Sequence, residues 1–497
     1  MSIIISELEY LQIFGIALIL IISTVLLRQK FRNSLNEPPL VPYKYPIIGH
    51  TIDYYKDLPE FLKKCHEEYG EIFSLYIWGS VHTFVGKELC SEVFKSHQIF
   101  DFNEAVKDTL PLGNFLNRPK DFFISTGHFV KESLHDLNIF AEKLQKSIIN
   151  SIDDLIGDGK EIQSPLEVIT KIVSRALAVI VLGEKLCKDE DVLHIFANIT
   201  IDIASLLSVP PVLNFIYPGL HQKFIVFKFR FFDNPMKEHQ KILISKITPV
   251  INQRINDKNN LGNSWKRPDD ILQALMEKFA IDKDHVDIGS VADFIMSILI
   301  ASIHTSSTTL LQCLFEYVNH PECHKELLEE AENIFYDKNK NIPYYTHVEI
   351  SKMEKLDNFI KETLRTTRGV ASLPRKTISQ YTFSNGYQIP EDRMVLTILQ
   401  HILFDQKAYG QDPKKFNPSH HVNSPAYRPE RNFLAFGMGR FVCPGRFFAI
   451  NEIKRILHFI LLKYNIKSIS GKHIESIRIG RFVLPSNEGL IFEKKER

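Results

Sequence analysis

Tryptophan is nearly missing from this chain: two residues, Trp78 and Trp265, stand against 36 phenylalanines. Cysteine is scarce as well, with six scattered positions and no Cys-x-x-Cys pair. That excludes a disulfide framework and a zinc-ribbon spacing, so each thiol has to be judged by its own surroundings. Neither charge sign dominates, with 60 Lys+Arg against 59 Asp+Glu and a formal net charge of +1. A nucleic-acid partner, which needs a basic surface, is not expected. Internal repeats, low-complexity stretches and long Gly/Ser linkers are also lacking. A chain of 497 residues therefore reads as one large body rather than the roughly three domains its length alone suggests. With 44% apolar and 24% charged residues, general disorder is excluded.

The longest uncharged run near the start is Leu11–Leu27. As a helix it would extend roughly 25 Å, the short end of what spans a bilayer. Arg28, Lys30 and Arg32 follow it and only Glu7 and Glu9 precede it, which places the body of the chain in the cytosol. A cleaved signal would carry its positive charge before the run. Residues 1–32 are expected to be a single-pass transmembrane anchor in the endoplasmic reticulum membrane. Residues 33–50, with Pro38, Pro39, Pro42 and Pro46, are expected to be a stiff extended connector, and 51–497 the catalytic body. A second apolar stretch, Pro210–Phe232, interleaves Phe224, Phe227, Phe229, Phe231 and Phe232 with Lys223, Lys228 and Arg230. Two readings stand for it: an element dipping into the membrane interface, or ordinary core with solvated lysines.

Within the body, Ile72–Trp78 and Val81–Val85 around Gly79-Ser80 predict a hairpin, as does Tyr381–Ile389 around Asn385-Gly386. Leu484–Phe492, turning at Pro485–Gly489, predicts another. Helical periodicity dominates from 130 to about 375, with clear helices over Ile295–Val318 and Val348–Arg368. A further helix after residue 445 has Ile450, Ile453, Leu457 and Ile460 on one face, with Glu452, Lys454 and Arg455 off it. The fold class is mainly α with small β-sheets.

Cys443 differs from the other five cysteines. It lies in Phe436-Gly437-Met438-Gly439-Arg440-Phe441-Val442-Cys443-Pro444-Gly445-Arg446, directly before that helix. The glycines remove side chains around one sulfur, which would let a flat, bulky group approach, and a helix N-terminus favours the thiolate. Phe436-x-x-Gly439-x-x-x-Cys443-x-Gly445 resembles the haem-binding loop of the cytochrome P450 superfamily. The run through Pro444–Ala449 is most similar to fungal microsomal members of the ent-kaurene oxidase type. The resemblance implies the P450 fold, haem b (iron protoporphyrin IX), and Cys443 as axial iron ligand. Phe436, Gly439, Arg440, Gly445 and Arg375 then contact the cofactor. The family usually has Arg or His where this chain has Phe441, so one propionate contact is replaced, with Arg440 the nearest substitute.

Three further stretches fit the same resemblance. Glu362-Thr363-Leu364-Arg365 matches the family's buried Glu-x-x-Arg pair, whose third member falls on His420 after Phe416-Asn417-Pro418. Pro374-Arg375 matches the propionate-binding arginine. Ser297, Ala301, Thr305 and Thr309 form a small-residue stripe at i, i+4, alongside which a planar group could lie. The resemblance places Thr305 at the oxygen-activating threonine and His304 where most members carry an acid, with Ser302 where many have glycine. His304 and Thr305 are the catalytic candidates. His128 and Lys131 are candidates for a further propionate contact, since no tryptophan marks that helix.

By resemblance the chain is a membrane-anchored haem-thiolate monooxygenase. It would oxidise a small lipophilic substrate (terpenoid, sterol or fatty-acid-like) with O2, taking electrons from NADPH through a flavoprotein reductase. The alternatives are a haem-thiolate isomerase or dehydratase, and a non-catalytic haem-binding membrane protein.

Overall fold

The computed structural model describes residues 35–109, 118, 120–207, 209–232, 234–335 and 344–496. The Leu11–Leu27 run and the anchor expected over 1–32 lie outside the described residues.

The body is mainly helical with four small sheets. The largest sheet holds five strands in the order Ile72–Ile77 (β1), Ser80–Val85 (β2), Met394–Thr397 (β8), Arg375–Thr377 (β5) and Phe100–Asp101 (β3). β1 and β2 form the expected hairpin, in register from Ile72 opposite Val85 to Ile77 opposite Ser80. Tyr381–Thr382 (β6) and Gln388–Ile389 (β7) form the second one across Asn385-Gly386.

Leu484–Phe492 is not a hairpin. Ile477–Ile479 (β10) instead pairs with Phe482–Leu484 (β11) around Gly480, at φ 55°. Leu490–Lys494 (β12) lies between Gly159–Ile162 (β4) and Tyr464–Ser468 (β9). Residues 485–489 form no regular turn, and the partner strands of β12 are distant in sequence, where local turn chemistry carries no information.

Seven helices position the site: Lys120–Ser133 (α1), Pro165–Leu182 (α2), Leu220–Phe231 (α3), Pro235–Leu261 (α4), Ile288–Asn319 (α5), Glu354–Thr366 (α6) and Arg446–Lys463 (α7). α5 is apolar because it is packed on several sides. Fully buried Phe294 meets the edges of Phe122, Phe129 and Phe279 at centroid distances of 4.8, 5.6 and 5.1 Å. Such aromatic pairs add to the roughly 1.5–3 kcal/mol of burying the ring itself. Among the described residues α5 is long and apolar enough to cross a membrane, yet it runs through the core of the body.

The helix expected over Val348–Arg368 is broken. His347–Ser351 is a separate short helix opened by a Thr346/Glu349 capping box, and α6 restarts at Glu354. The Glu330 carboxylate accepts the first amides of the new helix, from Lys355 at 2.7 Å and Leu356 at 3.0 Å. A distant acid thus satisfies the orphan donors that a second N-terminus creates.

α7 departs from the expected one-sided helix. Glu452, Lys454 and Arg455 are buried like the isoleucines opposite them. Lys454 is matched by Asp357 at 3.0 Å, and Arg455 Nε donates to Asn451 at 2.8 Å. The described part of the connector, expected to be extended throughout, turns over residues 46–50, where Gly49 N donates to Tyr45 O at 2.7 Å, and it is joined to the body. Val41 N donates to Ser74 O at 3.0 Å, Ser74 N to Pro39 O at 2.8 Å, and Glu37 pairs with Arg393 at 2.5 Å.

The Pro210–Phe232 stretch is not core. Ile216, Phe224, Phe227, Phe231 and Phe232 are exposed, and only Phe229 of this group is buried. A contiguous exposed aromatic surface of this kind marks an interface rather than a solvated face.

Candidate active site

A cavity of about 2430 Å³ lies between α5 and the loop that precedes α7. From α5 it is bordered by Asp293, Ser297, Ala301, Ser302 and Thr305. From the loop, Gly439, Arg440, Cys443 and Gly445 border it. The small-residue stripe and the cysteine, 138 positions apart at Thr305 and Cys443, thus face one space. Phe436 does not border it. Its carbonyl instead accepts the Cys443 amide at 2.9 Å, closing the loop beneath the sulfur.

The two outer loop glycines serve different purposes. A side chain at Gly445 would meet nothing within 4 Å, as expected for a position kept open to a bulky group. At Gly439, with φ 72°, a Cβ would come 2.8 Å from the Phe94 carbonyl oxygen, so backbone packing demands glycine there. The expectation that both stand clear for a ligand holds for Gly445 alone.

Burial pushes the Cys443 thiol up. The amides of Gly445 and Arg446 and the charges of Arg368 and Arg446 oppose this without cancelling it. The helix N-terminus contributes as the sequence suggested, but burial outweighs it. A positive centre at the sulfur would reverse the balance. Arg368, missed from the sequence, donates to Ala435 O from Nε at 3.1 Å and from Nη2 at 2.5 Å, which ties the end of α6 to the cysteine loop. Its one legible signal was its place three residues after Arg365.

Arg375 is buried within an aromatic box, its guanidinium 4.9 Å from the Phe441 ring, 5.2 Å from Phe94 and 5.6 Å from Phe102. Phe441 therefore offers a stacking face to Arg375 in place of the cation usual at its position. Burial pulls the guanidinium down to about 10, with Asp101 only partly opposing. Nη1 has no hydrogen-bond partner among the described residues, and Arg375 stands behind the cavity border, which its neighbours Pro374 and Lys376 line. Arg440 is exposed at the cavity border, and so are His128 and Lys131 on α1.

Thr305 Oγ1 donates back to Ala301 O at 2.9 Å and Ser302 O at 3.1 Å, leaving the hydroxyl oxygen to accept from the cavity side. His304 does not border the cavity. The residue is exposed, yet desolvation lowers its pKa and favours the neutral imidazole.

Behind the loop, Glu362 and Arg365 are both fully buried and share two 2.7 Å hydrogen bonds. Arg365 Nη1 also donates to Leu403 O at 2.7 Å and Pro413 O at 2.5 Å. His420 reaches Glu362 at 3.3 Å, as expected, but His421 is buried and closer, at 2.8 Å. Burial raises the Glu362 carboxyl, and the Arg365 and His421 hydrogen bonds overcome it, bringing the group to about 2.

The site's features fit haem. Cys443 supplies a sulfur at the cavity, Gly445 leaves room beside it, and Arg375 is a buried cation with an unanswered N–H suited to a propionate. The cytochrome P450 family model matches residues 38–491. Cytochrome P450 monooxygenase 71 of Postia placenta is 27% identical over 339 residues, 66% of this chain and 65% of that protein. Cytochrome P450 monooxygenase terQ of Tolypocladium album is 28% identical over 67% of this chain and 58% of its own. Cytochrome P450 monooxygenase 151 of Postia placenta is 25% identical over 94% of this chain and 95% of its own. The chain thus spans just under two thirds of the first of these relatives, less of the second and nearly all of the third. With its mainly helical fold and a single cysteine loop facing the long core helix, the chain belongs to the cytochrome P450 family of oxidoreductases.

Proposed function

We propose that the chain is a haem-thiolate monooxygenase that oxidises a lipophilic substrate, in which the Cys443 sulfur would hold the haem iron. The observation that carries this reading is the shared cavity: Cys443 borders it on one side and Thr305 on the other. When bound there, haem supplies the activation of O2 and the transfer of one oxygen atom to carbon. The residues of this chain supply placement and protons. Gly439, Arg440, Gly445 and Arg375 hold the macrocycle and its propionates, and Phe436 holds the cysteine loop. Thr305, its own proton committed to helix carbonyls, accepts a hydrogen bond from the cavity and so orients a proton donor there. His304, one residue away and neutral near pH 7, takes the part of the usual acid from outside the cavity.

Electrons would reach the site from NADPH through a flavoprotein reductase docked on the cytosolic face. The exposed aromatic surface of α3, with interleaved Lys223, Lys228 and Arg230, supports a body resting on the endoplasmic reticulum membrane beside an anchor at residues 1–32. Residues 33–50 would link the two, and 51–497 form the catalytic body. A substrate of terpenoid, sterol or fatty-acid character suits the apolar walls.

NADPH oxidation by the purified chain with a reductase tests this reading. Substrate-dependent oxidation with an oxygenated product is expected, and the Thr305→Ala variant should lose most of the coupling of NADPH to product. Product formed without NADPH would turn the assignment to an isomerase or dehydratase. Unchanged coupling in Thr305→Ala would remove its role.

A further inference from the structure

Three turns before Thr305, α5 carries an aspartate on its cavity side. Asp293 belongs to the same i, i+4 row as Ser297, Ala301 and Thr305. Its side chain is 1% exposed, and both oxygens are taken: Oδ2 by Arg118 Nε at 2.5 Å, and Oδ1 by the Gln240 side-chain amide of α4. Arg118 lies over the Phe122 ring at 5.2 Å, keeps 24% of its side chain exposed, and borders the cavity. Its charge also faces Asp287.

An ion pair with a buried carboxylate is costly to desolvate, and Asp293 already joins α5 to α4 through Gln240, so the guanidinium left open to the cavity is not needed for that joint. With the carboxylate saturated, the pair presents N–H donors to a ligand. The cation is balanced by Asp293, and Asp287 adds negative potential. At Arg118 a carboxylate ligand therefore gains less than at an unbalanced arginine, although Lys237 also borders the cavity, whereas a neutral oxygen gains the donors without a charge penalty.

We propose that Arg118, held by Asp293 and Gln240, is a recognition station for a neutral oxygen acceptor, a hydroxyl or carbonyl, at the end of the substrate remote from the carbon oxidised. Twelve residues of helix separate Asp293 from Thr305, about 18 Å along the axis, so the substrate is an elongated lipophile that already bears one oxygen function. A preceding oxygenation, or a hydration of its carbon skeleton, must supply it. The inference rests on the reading that oxidation takes place beside Thr305.

The holoenzyme tests it with three probes: a diterpenoid primary alcohol, the hydrocarbon of the same skeleton and the corresponding carboxylic acid. Binding is followed by Soret titration and, independently of haem, by the ligand-induced rise in unfolding temperature. Wild type should bind the alcohol about tenfold more tightly than the hydrocarbon, the scale of one charge-assisted hydrogen bond, and more tightly than the acid. Arg118→Leu should bind alcohol and hydrocarbon alike. Asp293→Asn, which leaves the cation unbalanced, should turn the preference toward the acid, a result that loss of packing would not produce. If Asp293→Asn does not fold, wild type and Arg118→Leu decide the question. An alcohol preference that survives Arg118→Leu, or a wild type that has none or favours the acid, overturns the proposal. An alcohol preference by thermal shift with no Soret response would sink the haem reading and leave the station standing. A normal Soret response without any preference would do the reverse.

Discussion

Two carboxylates buried to the same degree, Glu362 on α6 and Glu452 on α7, are driven in opposite directions. Glu362 meets Arg365, His420 and His421, and falls to about 2. Burial drives Glu452 up to about 8. Only a hydrogen bond from Ser306, the neighbour of Thr305, opposes it, and Oε1 stays without a partner. The usual value for both is 4.5. Burial alone thus does not decide whether an acid inside a protein is charged; the number and charge of its donors do. Glu362 accordingly sits in a network of charged and polar donors, whereas burial favours the neutral form of Glu452 beside Ser306.

The largest effect is expected from removing the charge at the ionised end. Glu362→Gln should cost about 3–5 kcal/mol in urea unfolding, because Arg365 would be left buried without its partner. A loss under about 1 kcal/mol would mean that the backbone carbonyls around Arg365 suffice. The pH dependence follows from the sign of the shift. A carboxyl depressed from 4.5 to about 2 contributes stability that is full above 4.5 and is lost as pH falls toward 2. Wild type should lose stability across that window more steeply than Glu362→Gln.

Glu452→Gln should do the opposite. A carboxyl raised from 4.5 to about 8 leaves the folded state at full advantage below pH 4.5 and weakens it as pH rises toward 8. The glutamine variant should match wild type near pH 4.5 and exceed it at pH 7.5 by about 4 kcal/mol, three units at 1.36 kcal/mol per unit. Equal unfolding temperatures at both pH values would mean that Glu452 is ionised and solvated inside the fold.

The smallest contrast separates the two histidines. His421→Ala should cost about 1–3 kcal/mol, since it strips a buried donor from Glu362. His420→Ala, at the longer and more open contact, should cost under about 1 kcal/mol. Thermal unfolding of the two variants in parallel checks this, and a reversed order would exchange their roles.

What could be read ahead of the structure was local. The β1–β2 hairpin, the Asn385-Gly386 turn and the cysteine loop are short stretches whose residue types dictate their backbone, and each forms where expected. The Glu362–Arg365 pair was legible through the family resemblance and not through its spacing, since i, i+3 acid–base pairs are common on exposed helix faces. What failed depended on distant partners. β12 pairs with β4 and β9 rather than with β11, and α6 restarts because Glu330 caps it from another helix. The charges of α7 read as solvated because an amphipathic pattern cannot distinguish water from Asp357, Asn451 and Ser306 as the answering groups. His421 was passed over for its neighbour, since which of two adjacent histidines turns inward is set by the loop and not by its composition.

The account's central claim is that the Cys443 sulfur ligates haem iron in the cavity it shares with Thr305. The absorbance spectrum of the reduced, CO-bound protein tests it most directly. A red-shifted Soret band that is lost in Cys443→His is the result predicted. A band at the unshifted position of imidazole-ligated haem in the wild-type chain would contradict it.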